Sequence, residues 1–197
     1  MTTNILTSTF PRSLIVAGED YPIRWGHRDC LRIMANLEDN DLTRWEQYTY
    51  LVQALYVEIP PEFNEALIQA LWFLHGGKDL EEASDRADGV KTFSYEQDAE
   101  LIYSAFSTRH GIDLAETDLH WWRFRALFTD LRETTFSELC SLRKRYHDGD
   151  CTPKELEAIA EMGDAFHVTG ADDDGLTWQE HKNILAFEEA ERARSNG

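Results

Sequence analysis

The segment from Leu119 to Leu131 constrains the fold more than any other, because it runs at helical spacing with apolar residues on two sides. Projected at about 100° per residue, Trp121, Phe124, Leu127, Phe128 and Leu131 fall on one broad face, and Leu119, Trp122 and Ala126 on a second. Asp118 and Arg125 separate the faces on one side, Arg123 and Asp130 on the other. A helix apolar on two sides is either sandwiched in a core or offers its second face to a partner. Large aromatic side chains usually pack inside, which in a domain this small favours burial.

Helix starts recur along the chain as a Ser, Thr or Asp followed three residues later by Glu or Gln, which lets the two side chains satisfy each other's backbone N–H groups. Thr43 with Glu46, Ser94 with Gln97, Asp113 with Glu116, Thr135 with Glu138, Thr152 with Glu155 and Thr177 with Glu180 all fit. Pro61 and Pro153 stand where a first helical residue tolerates a missing N–H. Leu42, Trp45, Thr49, Val52 and Tyr56 share one predicted helix face, and Phe63, Leu67, Ala70, Leu71 and Leu74 the next, which Gly76 and Gly77 end. In the helix from Ser94, the residues Tyr95, Ala99, Ile102, Tyr103 and Phe106 recur at three-and-four spacing before Gly111 closes it.

The N-terminus departs from this period. Leu14, Ile15 and Val16 form a short apolar strand, Gly18-Glu19-Asp20 a turn, and Tyr21, Ile23 and Trp25 alternate in a second strand whose Pro22 belongs at a sheet edge. The expected fold is mainly α: a compact multi-helix domain with a small N-terminal β-hairpin over residues 1–148, and a C-terminal helical extension over 149–197. Between Gly76 and Thr92 an acidic stretch without apolar period (Asp79, Glu81, Glu82, Asp85, Asp88) reads as a loop. The extension carries a polar linker from Thr169 to Gly175 and a last helix from Thr177 to Arg194, with Trp178, Ile184, Leu185 and Phe187 as its apolar side.

With 19 basic and 37 acidic residues, the chain has a formal charge of −18, which repels phosphate backbones and anionic lipid. Nucleic acid and membrane are therefore not expected partners. The first apolar run, Leu14 to Ala17, lacks a preceding basic segment, so no signal peptide is expected. Cys30, Cys140 and Cys151 are too widely spaced for a disulfide framework and suit a reducing, cytoplasmic setting.

Motifs that would carry chemistry are incomplete. Gly76-Gly77-Lys78 lacks the rest of a phosphate loop, and Asp79 follows the lysine. With Gly175 at the sixth position of a calcium loop, Gly170 and His181 would fill positions that need acids. Cys140, His147 and Cys151 have no C-x-x-C pair and no fourth zinc ligand. The basic run Arg143-Lys144-Arg145 suits the negative end of a helix dipole. No catalytic residues, metal or cofactor are expected, and the chain reads as a protein-binding protein rather than an enzyme.

The runs FSYEQDAELIYSAFSTRHGIDL (Phe93–Leu114) and LHWWRFRALFTDL (Leu119–Leu131) resemble the bacteriophage gene-product-fifteen family, regarded as tail assembly chaperones of long-tailed phages. The likeness extends through EIPPEFNEALIQALWFLHGGK (Glu58–Lys78) and covers Asn4 to Tyr146. It implies a protein of the bacterial host's cytoplasm that coats and solubilises the tape-measure protein and recruits major tail-tube subunits. Self-association is open. The rival reading is a structural tail or head-tail junction component that stays in the particle. Under the chaperone reading, the expected partner contacts are Trp122 with Leu119 on the second face, the neighbouring Trp72, and Trp178.

Overall fold

The computed structural model describes residues 6–78, 90–168 and Arg194. It opens on an antiparallel hairpin, β1 (Ser13–Val16) against β2 (Glu19–Pro22), with Leu14 opposite Tyr21 and Val16 opposite Glu19. Seven helices follow among the described residues: α1 (His27–Leu37), α2 (Arg44–Leu55), α3 (Phe63–Leu74), α4 (Ala99–His110), α5 (Trp121–Phe128), α6 (Thr135–His147) and α7 (Pro153–Met162). A 3-10 turn, Gly163–Phe166, closes the series. The chain is mainly α with an N-terminal hairpin, as its spacing predicts.

The hairpin turn is tighter than expected. Ala17 and Gly18 take φ of 51° and 81°, so a two-residue turn matches the right-handed twist of its strands and β2 begins at Glu19 instead of Tyr21. Leu14 and Val16 point into the core and Ile15 out of it. Beyond Pro22, Ile23 forms an antiparallel bridge with Tyr56, and the Pro22 carbonyl accepts from the Val57 N–H at 3.0 Å.

Thr43 and Thr152 cap α2 and α7 through complete capping boxes, and Pro153 stands at the start of α7. The box expected at Thr135 lies one residue earlier, where Thr134 pairs with Ser137 at the head of α6. Ser94 and Asp113 cap turns instead of helices. The Ser94 hydroxyl accepts from the N–H groups of Glu96 and Gln97, both at 3.3 Å, and the Asp113 carboxylate accepts from Ala115 N–H at 2.8 Å. Pro61 precedes α3 by two residues.

The face of α2 also differs from expectation. Tyr48, Leu51, Val52 and Leu55 are buried, with Val52 alone shared with the predicted line inside the helix, because α2 lies between α1 and α3 and is covered from two sides. In α3 the predicted Leu67, Ala70, Leu71 and Leu74 are all buried. The acidic run Asp79–Asp88, the linker at 169–175 and Trp178 fall outside the described residues. Residues 149–168, the start of the expected extension, pack on the body: Arg145 pairs with Glu155 at 2.6 Å, and Tyr146 meets Phe166 edge-on.

Candidate partner-binding site

The two-faced helix α5 is sandwiched. Its first face packs on α4, with Phe124 stacked on Phe106 at 4.9 Å. Its second face finishes α3. The last carbonyls of a helix have no partner within it, and here Trp122 Nε1 donates to Phe73 O at 2.8 Å, while Trp121 Nε1 and Arg125 Nη1 donate to Leu74 O at 2.9 and 2.6 Å. The Arg125 charge also faces the negative end of the α3 dipole. Directly beyond, Gly76 and Gly77 turn the chain at φ of 74° and 78°. A Cβ on Gly77 would meet the Trp122 ring at 2.7 Å, so the close approach of this turn requires glycine. The Gly76-Gly77 pair therefore accommodates an indole and a guanidinium rather than a phosphate.

The structure buries two residues of the expected partner face. Leu119 is 1% exposed and Trp122 3%, with Trp122 enclosed by Phe10, Phe73 and Trp72. Trp72 is half-buried against Trp122 at 5.5 Å. Trp122 has no free face because its indole N–H serves the C-terminus of α3. Trp178 lies outside the described residues.

Open apolar surface lies elsewhere, in a cleft of about 440 Å³ between α1 and α4. Leu31 lines it from α1, Tyr95, Ala99, Ile102 and Tyr103 from α4 and the turn before it, and Leu114 closes one end. Both walls hold that end in place. Arg28 donates to Leu114 O at 3.1 Å and Ala115 O at 2.6 Å, and the Tyr103 hydroxyl donates to Asp113 at 2.9 Å. Burial pushes the Tyr95 hydroxyl up to about 12, so it stays neutral. Arg28 and Tyr103 are thus already engaged, and beside the exposed Glu100 carboxylate the cleft offers a ligand mainly apolar side-chain contact. The sequence places Ala99, Ile102 and Tyr103 on one face of an amphipathic helix but cannot show that no described helix covers it.

Three histidines are expected to make the fold acid-sensitive. His27 Nδ1 accepts from Leu119 N–H at 3.3 Å. His120 caps α5 by accepting from Trp122 N–H at 3.1 Å, and its Nε2 donates to Pro11 O at 2.8 Å. Protonating either Nδ1 turns an acceptor into a donor against an N–H. Burial lowers the pKa of both, and burial, with the Arg125 and Lys78 charges, lowers His75 to about 4. A lowered folded-state value leaves stability complete above the unfolded value near 6.5 and removes it as pH falls toward the folded value. His75 alone is expected to cost ~2–3 kcal/mol between about pH 6.5 and 4. Urea midpoints measured from pH 7.5 to 4.5 should fall monotonically below 6.5; a flat profile would contradict neutral buried histidines.

The basic run at the end of α6 is partitioned. Arg143 is buried and spends all five N–H groups inside the protein. Nη1 donates to Asp98 at 2.6 Å and Thr92 O at 3.1 Å, Nη2 to Asp98 at 3.0 Å and Ala165 O at 3.3 Å, and Nε to Phe166 O at 2.6 Å. Only Lys144 and Arg145 sit in the last turn as dipole-compensating charges, and each has a carboxylate partner, Asp148 and Glu155. Among the described residues no group of three or more His, Cys, Asp or Glu side chains could hold a metal, and no helix is long and apolar enough to cross a membrane.

A protein-family model described as Bacteriophage Gp15 protein matches residues 6–168. The match runs past Tyr146, where the expected resemblance ends, and takes in α7 and the 3-10 turn that Arg143 holds. No curated protein and no solved structure matches the chain.

Proposed function

The chain belongs to the bacteriophage Gp15 protein family, and from that premise we propose that it is a tail assembly chaperone that keeps the tape-measure protein soluble and recruits major tail-tube subunits in the bacterial host's cytoplasm. The observation that carries this reading is the open apolar cleft between α1 and α4. A tape-measure protein is a long helical chain with an apolar stripe, and such a helix binds by laying side chains at i, i+3, i+4 and i+7 into a groove. A cleft this size takes a few anchors, so each contact is modest, as release during tube assembly demands. The charge of −18 keeps the loaded complex in solution. The chain's own residues act here as a binding surface and not as a catalyst.

Co-expression with the tape-measure protein tests this. The wild-type chain is expected to keep that protein soluble and to co-purify with it. Ala99→Glu puts a carboxylate into the cleft at an exposed first-turn position where a helix tolerates an acid, and it should cut co-purification on the order of ten-fold with an unchanged thermal midpoint. Equal aggregation of the tape-measure protein with and without the chain would refute the proposal. Stoichiometric presence of the chain in purified particles would instead favour a structural tail or head-tail junction component.

A further inference from the structure

We infer that the helix taken by the α1–α4 cleft is a cationic amphipathic one, with Lys or Arg beside its apolar stripe, selected by the carboxylates of Glu100, Asp113 and Glu116. The inference rests on the reading of this cleft as a helix-binding site and adds the charge class of its ligand.

On the α4 side, the apolar wall of the cleft meets carboxylates. Glu100 lines the cleft and is exposed, and it lies three residues before Tyr103, on the same side of α4. The Tyr103 hydroxyl donates to Asp113 at 2.9 Å. That bond, followed by desolvation and the charges of Asp113 and Glu116, raises the Tyr103 pKa, so both carboxylates lie within electrostatic reach of the hydroxyl. Asp113 also accepts from Ala115 N–H at 2.8 Å, and this bond and the one from Tyr103 lower its pKa, so it stays ionised. Tyr103, which is 42% exposed, thus has one carboxylate a turn before it along α4 and two near its hydroxyl.

Basic groups do not offset this rim. Arg28 lines the α1 wall, but it donates to Leu114 O and Ala115 O and pairs with Asp118 at 3.7 Å. Arg32, one turn further along α1, pairs with Asp29 at 2.9 Å. Among the described residues no basic side chain forms an ion pair with Glu100, Asp113 or Glu116. A partner helix with Lys or Arg flanking its stripe supplies the missing charge, and the long stems of those side chains extend the apolar contact along the walls. Exposed pairs of this kind add little affinity each. Their effect is on encounter rate, register and the rejection of wrong partners. An acidic helix meets like charge at this rim, and a second copy of the chain brings −18 of its own.

Fluorescence anisotropy titrations of the full-length chain test the assignment with two labelled synthetic peptides of about 18 residues, long enough to be helical alone. Both carry Leu at i, i+3, i+4 and i+7; one has Lys on its polar face and the other Glu. The Lys peptide is expected to bind on the order of ten-fold more tightly in low salt, with the gap closing at about 0.5 M salt. Glu100→Gln combined with Glu116→Gln should weaken the Lys peptide about five-fold. Glu157→Gln combined with Glu161→Gln, which removes the same charge from exposed positions of α7, should leave it unchanged. Ala99→Gln puts a neutral amide on the apolar wall and should weaken it on the order of ten-fold. Equal affinity for the two peptides, binding of neither, an equal loss in both double variants, or undiminished binding to Ala99→Gln would each overturn the inference. The tape-measure protein is absent from these titrations. Equal binding of the two peptides removes the charge preference and leaves the co-expression result standing, whereas failed co-expression beside a clear Lys preference removes the chaperone reading alone.

Discussion

Arg143→Met is expected to destabilise the protein by about 3–5 kcal/mol, the cost of leaving one member of a buried ion pair without its counter-charge. The side chains of Arg143 and Asp98 are 4% and 3% exposed. Removing the guanidinium strands the Asp98 carboxylate and frees the carbonyls of Thr92, Ala165 and Phe166 together. Asp98 keeps only the Ser94 N–H, at 3.0 Å. Combining Arg143→Met with Asp98→Leu should restore much of the loss, because the larger part of the penalty is the uncompensated charge. Urea unfolding of the wild type, both single variants and the double variant gives the answer. A loss under ~1 kcal/mol for the single change would mean that water reaches the pair.

Trp122→Ala is expected to cost a similar ~3–5 kcal/mol. The substitution empties the space enclosed by Phe10, Trp72 and Phe73, and it withdraws the N–H that satisfies the Phe73 carbonyl at the end of α3. It also leaves Gly77 without the ring it packs against. Capture of the tape-measure protein should fall only in step with the folded fraction. A variant that keeps wild-type stability yet loses capture would show that the indole is a contact residue, and would overturn its placement in the core.

These two residues mark where sequence reasoning stops. The capping boxes at Thr43 and Thr152, the buried face of α3 and the glycine closure at Gly111 are legible because each is set by residues within a turn or two of one another. The aromatic character of α5 is equally plain, and so is the choice it poses between core and partner. What decides that choice is the pairing of Trp122 with a carbonyl 49 residues earlier, which no local period encodes. Asp98 and Arg143, 45 residues apart, look like a helix-start acid and a helix-end base until the fold joins them. The buried side of α2 is broader than the predicted line for a related reason. One apolar stripe is the rule for a helix with one neighbour, and α2 has two. The cleft was hidden because Ala99 and Tyr103 read as an ordinary inward stripe, whereas both remain exposed.

The way α5 finishes α3 also sets an order of events in time. The acceptors at Phe73 and Leu74 leave the ribosome first, and their donors at Trp121, Trp122 and Arg125 follow 47 to 51 residues later. Until α5 emerges, the nascent chain holds α3 packed on α2 and β1 but with its last turn open. Closing so long a loop costs little more than closing a short one, but it cannot begin before synthesis reaches Arg125. The body of the protein is therefore expected to become protease-resistant in one late step, when the second tryptophan docks, and not helix by helix as each is made.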